Sequence, residues 1–143
     1  MRPVRRPRLS VLVVMLAALV VLAGTASAGA VARRLPTKTA EVSGITIEAS
    51  PGRVDDRGAM ISITLDTHSG DLDVDLRHSK LTVDGTPWPT ATYRGDGPGG
   101  HHREGTLRFR SGGPATGSMR LVVKGLGEDV KFSWRLEESR RSQ

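Results

Sequence analysis

From about residue 41 onward, apolar and polar residues alternate along the chain. Alternation with a period of two places the apolar side chains on one face of an extended segment and the polar ones on the other, which is typical of a half-buried β-strand. The apolar positions that mark strands are Val42, Ile45 and Ile47; Ile61, Ile63 and Leu65; Leu72, Val74 and Leu76; Leu81 and Val83; Trp88 to Tyr93; Leu107 and Phe109; Met119, Leu121 and Val123; and Val130, Phe132, Trp134 and Leu136.

Turn-forming residues separate these segments. Pro51-Gly52 is expected to end the first strand, and Asp84-Gly85 suits a two-residue hairpin turn because both residues tolerate positive φ. About eight short strands in roughly 100 residues predict an all-β fold, an immunoglobulin-like antiparallel β-sandwich of seven to eight strands. A small closed barrel is the alternative.

The first 32 residues have a different pattern. Residues 1–10 are cationic, residues 11–24 are apolar and uncharged, and Ala26-Ser27-Ala28 has the small residues that signal peptidase accepts. Residues 1–28 are therefore predicted to be a signal peptide or a membrane anchor, forming a hydrophobic helix before the sandwich. If the apolar run extends through Ala32, residues 11–32 are long enough to remain in the membrane as an anchor.

Both interpretations place the rest of the chain outside the cytoplasm, because the arginine-rich start is expected to stay inside. The protein is then either secreted or anchored to the cell membrane by residues 11–32, and the membrane is a partner if the segment is not cleaved. After it we expect a linker at 29–40, the sandwich domain at 41–138 and a disordered tail at 139–143.

Charge and cysteine content narrow the functional classes. The whole chain has a formal charge of +6, but residues 41–138 hold 12 lysines and arginines against 15 aspartates and glutamates, a net charge of −3. A mildly acidic domain argues against a nucleic-acid partner, which needs clustered cations on the domain itself. The chain has no cysteine, which excludes disulfides and thiol chemistry.

Three histidines are the candidate metal ligands. His101 and His102 lie in a glycine-rich stretch from Gly95 to Gly105, and His68 follows the strand that ends near Asp66. If these two loops meet at one end of the sandwich, the imidazoles of His68, His101 and His102 would converge as ligands for copper or zinc, with Asp71 as a possible fourth. The competing interpretation is that the histidines hydrogen-bond to loop backbone and hold the connection in one shape.

Other motifs do not support catalysis or a cofactor. The glycines at 95, 97 and 100 match G-x-G-x-x-G, but a strand follows them where a dinucleotide site needs a helix. Asp71, Asp73 and Asp75 lack the later ligands of a calcium loop and are expected to lie on a solvated face. The motifs G-x-S-x-G and H-E-x-x-H are both missing, so we expect no catalytic residue, no bound cofactor and no enzymatic activity.

Two stretches, DTHSGDLDVDL at 66–76 and GDGPGGHHREGTLRF at 95–109, resemble the elements of a family of uncharacterised small exported β-sandwich domains. These domains pair a Thr-His-Ser...Asp-Leu element with a Gly-Gly-His-His-Arg element, and the resemblance covers about residues 60–136. It implies signature positions here, and it implies that the two elements face each other. The positions are His68, Ser69, Asp71, His101, His102 and Arg103.

The function expected from the sequence is that of an exported or membrane-tethered, non-enzymatic β-sandwich domain. Such a domain acts as a binding or structural accessory module of the cell envelope, whose partner is an envelope protein or ligand that the sequence does not identify. The alternative is an extracytoplasmic copper- or zinc-binding protein that uses the cluster of His68, His101 and His102.

Overall fold

The computed structural model describes residues 34–136, which fold into β-strands and one 3₁₀ turn. The predicted signal peptide or anchor and the predicted tail at 139–143 lie outside the described residues. Within residues 34–136 no helix has the length and apolar character needed to cross a membrane. The strands are β1 (Lys38–Val42), β2 (Ile45–Asp55), β3 (Gly58–Thr67), β4 (Lys80–Val83), β5 (Thr86–Trp88), β6 (Thr90–Gly95), β7 (His102–Arg110), β8 (Gly117–Leu126) and β9 (Glu128–Leu136), with the 3₁₀ turn at Leu76–His78.

The nine strands form two antiparallel sheets, which confirms the predicted all-β class. The first sheet has the order β1-β2-β3-β7-β6, and the second has the order β5-β4-β8-β9. Every ladder is antiparallel, and the two sheets contribute to one hydrophobic core, as in a β-sandwich. The described residues thus contain one or two strands more than the predicted seven to eight.

Alternating burial produces the core. Along β9, Val130, Phe132, Trp134 and Leu136 are buried while the residues between them are exposed, and β3 and β8 show the same alternation. The rings of Phe132 and Trp134 stack with their centroids 6.1 Å apart. Each fully buried large aliphatic side chain stabilises the domain by roughly 1.5–3 kcal/mol, so the alternating pattern is the main determinant of the fold.

The start of the domain differs from the prediction. The segment around Val42 to Ile47, expected as one strand, is a β-hairpin, and its first strand begins at Lys38, inside the predicted linker. Ser43 and Gly44 connect the two strands with φ of 50° and 75°, the two positive values of a type I′ turn. The Asp84-Gly85 turn, with φ of 49° and 80°, follows the same rule and confirms the prediction.

The strand expected to end at Pro51-Gly52 continues to Asp55. Its register with β3 shifts between Pro51 and Val54, which marks a β-bulge. Pairing with β1 on the other side reaches only Ala49, so the missing N–H of Pro51 falls where β2 has become an edge. Proline is tolerated there because no ladder hydrogen bond is lost.

The prediction of a strand over Leu72 to Leu76 is wrong, although the burial that it implied for the apolar residues is confirmed. Leu72, Val74 and Leu76 are buried, but the backbone is a loop that ends in the 3₁₀ turn. The main-chain groups of Leu72 bond to another loop and to the side chain of Arg103, and the carbonyl of Val74 bonds to the same arginine. The carbonyl of Leu76 accepts from the N–H of Ser79 within the turn. The alternation therefore predicted correctly which side chains face the core, but it did not show whether the backbone pairs with a neighbouring strand.

The segment from Trp88 to Tyr93, expected as one strand, belongs to both sheets. β5 pairs with β4 in the second sheet, and β6 pairs with β7 in the first. Pro89 separates the two strands, and its carbonyl accepts a hydrogen bond of 2.9 Å from the N–H of Arg110. Because proline cannot donate a ladder hydrogen bond, it suits the point where the chain leaves one sheet for the other.

Candidate functional site

Two loops meet at the end of the first sheet where β3 stops and β7 begins. The N–H of Thr67 donates to the carbonyl of His101 at 2.9 Å, and the N–H of Leu72 donates to the carbonyl of Gly100 at 2.9 Å. In the reverse direction, the N–H of Gly99 donates to the carbonyl of Leu72 at 3.0 Å. The loops that contain His68 and His101 are therefore joined through their main chains.

Arg103 holds this junction from inside the domain. In β7, His102 and Glu104 are exposed, so alternation turns Arg103 inward, where it is only 2% exposed. Its Nη1 donates to the carbonyls of Leu72 at 2.9 Å and Val74 at 2.6 Å. Its Nη2 donates to the carbonyl of Asp96 at 3.1 Å. One guanidinium thus supplies the hydrogen bonds that a neighbouring strand would otherwise give to the loop after β3.

Asp96 fixes the other loop to β7. Its N–H donates to the carbonyl of Glu104 at 2.9 Å, and its carboxylate accepts from the N–H of Glu104 at 3.0 Å. The hydroxyl of Tyr93 donates to the carbonyl of Asp96 at 2.8 Å. The tyrosine ring covers Gly105 so closely that a Cβ at that position would lie 2.5 Å from a ring carbon. Glycine is therefore required at position 105 for this packing.

An ion pair occupies the exposed face above this junction. Asp66 of β3 lies directly opposite His102 of β7, and Nδ1 of His102 is 2.5 Å from Oδ1 of Asp66. Nε2 of the same ring is 4.0 Å from Oε2 of Glu104, and all three side chains are more than half exposed. The hydrogen bond to Asp66 raises the pKa of His102, with further electrostatic support from the carboxylates of Asp66, Glu104 and Asp96.

A shallow open groove of about 380 Å³ lies beside this ion pair on the outer face of the first sheet. Small-molecule pockets are usually enclosed and largely apolar. This groove is open and carries hydroxyl and carboxylate groups, which suits contact with a polar partner surface. Its lining residues are Ser62, Ile63, Thr64, Gly95, Asp96, Glu104, Gly105 and Thr106.

The structure does not assemble the predicted metal cluster. Within residues 34–136 no group of three or more histidine, cysteine, aspartate or glutamate side chains is placed to hold a metal ion. His68, His101, His102 and Asp71 are all exposed, and the ring of His102 is bonded to Asp66 instead. Successive residues of extended chain project to opposite sides, so the neighbours His101 and His102 are a poor chelating pair. The copper or zinc alternative has no geometric support in this part of the chain.

The competing interpretation, in which the histidines hydrogen-bond to loop backbone, does not hold for the side chain of His102. The junction is made by main-chain atoms, including the carbonyl of His101, and by the side chain of Arg103. The imidazole of His102 bonds to a carboxylate and not to loop backbone.

The acidic run after His68 provides one more local contact. Asp75 accepts hydrogen bonds from Nε and Nη2 of Arg77, each at 2.9 Å, and from the N–H of Arg77 at 3.0 Å. These bonds to Arg77 lower the pKa of the Asp75 carboxyl to about 2. The carboxylate also caps the 3₁₀ turn at its N-terminal end.

The sequence analysis located the two loops of the site but did not identify the side chains that bond there to His102 and to β7. Asp66, Asp96 and Glu104 were not among the candidate residues, whereas Arg103 and His102 were signature positions of the resemblance. The alternation in β7 is the signal that would have turned Arg103 inward, because it lies two residues before Gly105 and four before the buried Leu107. The pairing of Asp66 with His102 depends on strand register, which the sequence alone does not give.

Compared with protein-family models, with curated proteins and with solved structures, the chain matches none of them.

Proposed function

We propose that this protein is an extracytoplasmic, immunoglobulin-like β-sandwich domain, secreted or held at the cell membrane by residues 11–32. In this proposal it is a non-enzymatic binding or structural accessory module of the cell envelope. The cationic, apolar and small-residue pattern of residues 1–28 supports export. The paired signature loops support membership of the small exported domains that the sequence resembles.

Strand order supports the immunoglobulin-like type. In immunoglobulin domains, strands A, B, E and D form one sheet, and C, F and G form the other, with C′ added beside C in some types. If β2, β3, β7 and β6 are taken as A, B, E and D, the second sheet β5-β4-β8-β9 corresponds to C′-C-F-G. β1 is then an additional strand next to A.

The observation that carries the binding role is the polar groove beside the ion pair. Its hydroxyl and carboxylate groups lie on a sheet, and the adjoining loops are held by Arg103, so the groups are preorganised for a partner. We infer that a polar segment of an envelope protein contacts this groove. Bonds to main-chain and side-chain polar groups would supply specificity there.

The geometry of His102 favours binding over hydrolysis. Asp66 and His102 resemble two members of a catalytic triad, in which the second imidazole nitrogen must face a nucleophile. Nε2 of His102 instead faces the carboxylate of Glu104, at 4.0 Å. A carboxylate at that position stabilises the protonated ring as an ion pair. It is not a hydroxyl or thiol that the ring could activate as a nucleophile.

Export is tested with the full chain carrying alkaline phosphatase after Gln143. Activity outside the cytoplasm is expected, and deletion of residues 11–24 should abolish it. A chain whose reporter remains inactive with the segment intact would contradict export. The mass of the purified protein then distinguishes cleavage after Ala28 from retention of the segment.

The groove is tested by placing a photo-crosslinking amino acid at position 64 of the full chain, in cells of the source organism. The expected result is a discrete adduct with one envelope protein, which disappears when Glu104→Arg is added. Crosslinker at Thr86, in the β4–β5 turn region, and the substitution Arg108→Glu on the same strand as Glu104 are the matched controls. An adduct that persists with Glu104→Arg, or equal adducts from positions 64 and 86, would contradict a partner at the groove.

A further inference from the structure

The outer face of the second sheet carries a concentration of positive charge. In the register of β4, β8 and β9, Lys80 and Lys131 flank Val122, while Arg120 lies between Thr82 and Ser133. These cations project away from the core because Leu81, Leu121 and Phe132, their sequence neighbours, are buried. We call the basic face the set of exposed residues Lys80, Arg120, Lys131 and Arg135.

The four cations of the basic face are close together. Neighbouring strands are about 4.8 Å apart, so Lys80 and Lys131, two strands apart, are separated by roughly 10 Å at the backbone. Arg120 and Arg135 lie on adjacent strands, at diagonal positions about 7–8 Å apart. All four therefore fall within about one Debye length of their nearest neighbours at physiological ionic strength and act as a single positive patch.

Little negative charge faces this patch. Asp129 forms an ion pair with Lys124 at 3.4 Å, and the carboxylate of Asp84 packs against Gly117 at the end of β8. Within residues 34–136, no ion pair engages any residue of the basic face. The outer face of the first sheet is different, since it places Glu48, Asp66 and Glu104 together with Arg94 and Arg108. The net charge of −3 of residues 41–138 therefore does not reveal that the outer face of the second sheet is basic while that of the first sheet is mixed.

The chain enters the domain beside β9, the strand that carries Lys131 and Arg135 on its outer side. The carbonyl of Pro36 accepts a hydrogen bond of 2.7 Å from Nε1 of Trp134, in β9. Lys131 and Arg135 belong to the same strand. A chain tethered through residues 11–32 would therefore have only a few residues between its anchor and the strand that bears two of the four cations.

We propose that the basic face docks on the surface of an anionic phospholipid bilayer. The proposal rests on the proposed tethering at the membrane, and it adds which surface of the domain faces the lipid. A sheet face with several exposed cations matches a planar array of phosphate headgroups, to which lysine and arginine are attracted over about a Debye length. Nucleic acid offers similar phosphates, but export removes the domain from it.

The experiment uses the full chain reconstituted in vesicles. Because the chain has no cysteine, Ser133→Cys in β9 and Thr92→Cys in β6 each provide one labelling site, on the basic face and on the first sheet respectively. Each is labelled with a fluorophore in vesicles that contain headgroup-nitroxide lipid as quencher. The vesicles consist of phosphatidylcholine alone or of phosphatidylcholine with about one third phosphatidylglycerol, an anionic content that creates a negative surface potential.

The label at position 133 should be quenched at least about twofold more in anionic than in neutral vesicles, and high salt should remove the difference. The label at position 92 should show no such difference. The double substitution Lys131→Glu with Arg135→Glu should abolish the effect at position 133, whereas Arg94→Glu with Arg108→Glu should retain it. Neutralisation with Lys80→Gln and Arg120→Gln gives a second test that avoids charge reversal.

Other results overturn the proposal in distinguishable ways. If the chain floats with vesicles of both kinds but position 133 is quenched equally in them, the tether holds and the docking surface fails. If the chain does not float with either, the tethering part of the proposed function fails, and the docking inference fails with it. If the label responds to duplex DNA and not to anionic vesicles, the basic face binds soluble polyanions and membrane docking is overturned.

Discussion

Replacing Arg103 by methionine is expected to destabilise the domain and open the junction of its two loops. Methionine has a similar length and no hydrogen-bond donor, so the carbonyls of Leu72, Val74 and Asp96 lose the guanidinium that bonds them. Arg103 is 2% exposed, so water cannot easily replace it. Hydrogen bonds to a charged group contribute about 1.5–3 kcal/mol each, which gives a gross loss of roughly 4.5–9 kcal/mol for the three.

Two effects reduce that loss. The wild-type protein buries a charged guanidinium whose Nε has no partner among the described residues, and methionine removes this desolvation cost. The loop can also open to hydrate part of the freed carbonyls. We therefore expect a net loss of about 3–5 kcal/mol, in the range measured when one member of a buried charged contact is deleted. Arg103→Lys keeps the charge but not the forked geometry and should lose about half as much.

The assay is urea unfolding of the full chain, followed by the fluorescence of its two tryptophans, Trp88 and Trp134, which are both buried. Arg108→Met, an exposed change on the same strand, is the matched control and should stay within about 0.5 kcal/mol of wild type. Hydrogen exchange of the Thr67 and Leu72 amides, which bond across the junction, should accelerate in the Arg103 variant. A variant within 1 kcal/mol of wild type, with these two amides still protected, would refute the assignment of Arg103 as the link.

Three further outcomes are expected. NMR titration should show the pKa of His102 above its ordinary value, because Asp66 bonds the charged form of the ring. This contribution to stability is complete at pH values below the ordinary pKa and is lost as pH rises through the raised pKa. Asp66→Asn should return the pKa toward 6.5. The pKa of the Asp75 carboxyl is lowered from 3.8 to about 2, so the carboxylate stabilises the fold at pH values above the ordinary pKa and loses that effect as pH falls to about 2. Asp75→Asn should therefore reduce the dependence of stability on pH in this range. Gly105→Ala should cost about 1–3 kcal/mol by urea unfolding, because its Cβ would overlap the ring of Tyr93, and adding Tyr93→Leu should recover most of the loss.

Burial was the property most readily predicted from the sequence. Alternation identified buried positions even where no strand forms, as at Leu72 and Val74, because the core selects side chains without regard to the backbone hydrogen bonds behind them. The Asp84-Gly85 turn was predicted, whereas Ser43-Gly44 was missed because serine seldom takes the positive φ of 50° that it has here. Strand order was beyond the sequence, since many pairings bury the same faces.

The candidate site shows the same division between burial and pairing. The distinctive residues of the two loops led to the prediction that their imidazoles converge. The loops do meet, but through main-chain atoms and the buried Arg103. The register that makes this junction also places Asp66 opposite His102, so the histidine bonds a carboxylate across the ladder. A histidine-rich loop thus indicates a metal site only when the strand register brings its side chains to one face. Here the exposed residues of β7 are His102 and then Glu104, and the residue between them, Arg103, points inward. The result is an exposed, protonatable ion pair beside a polar groove, the surface at which we propose that a partner binds.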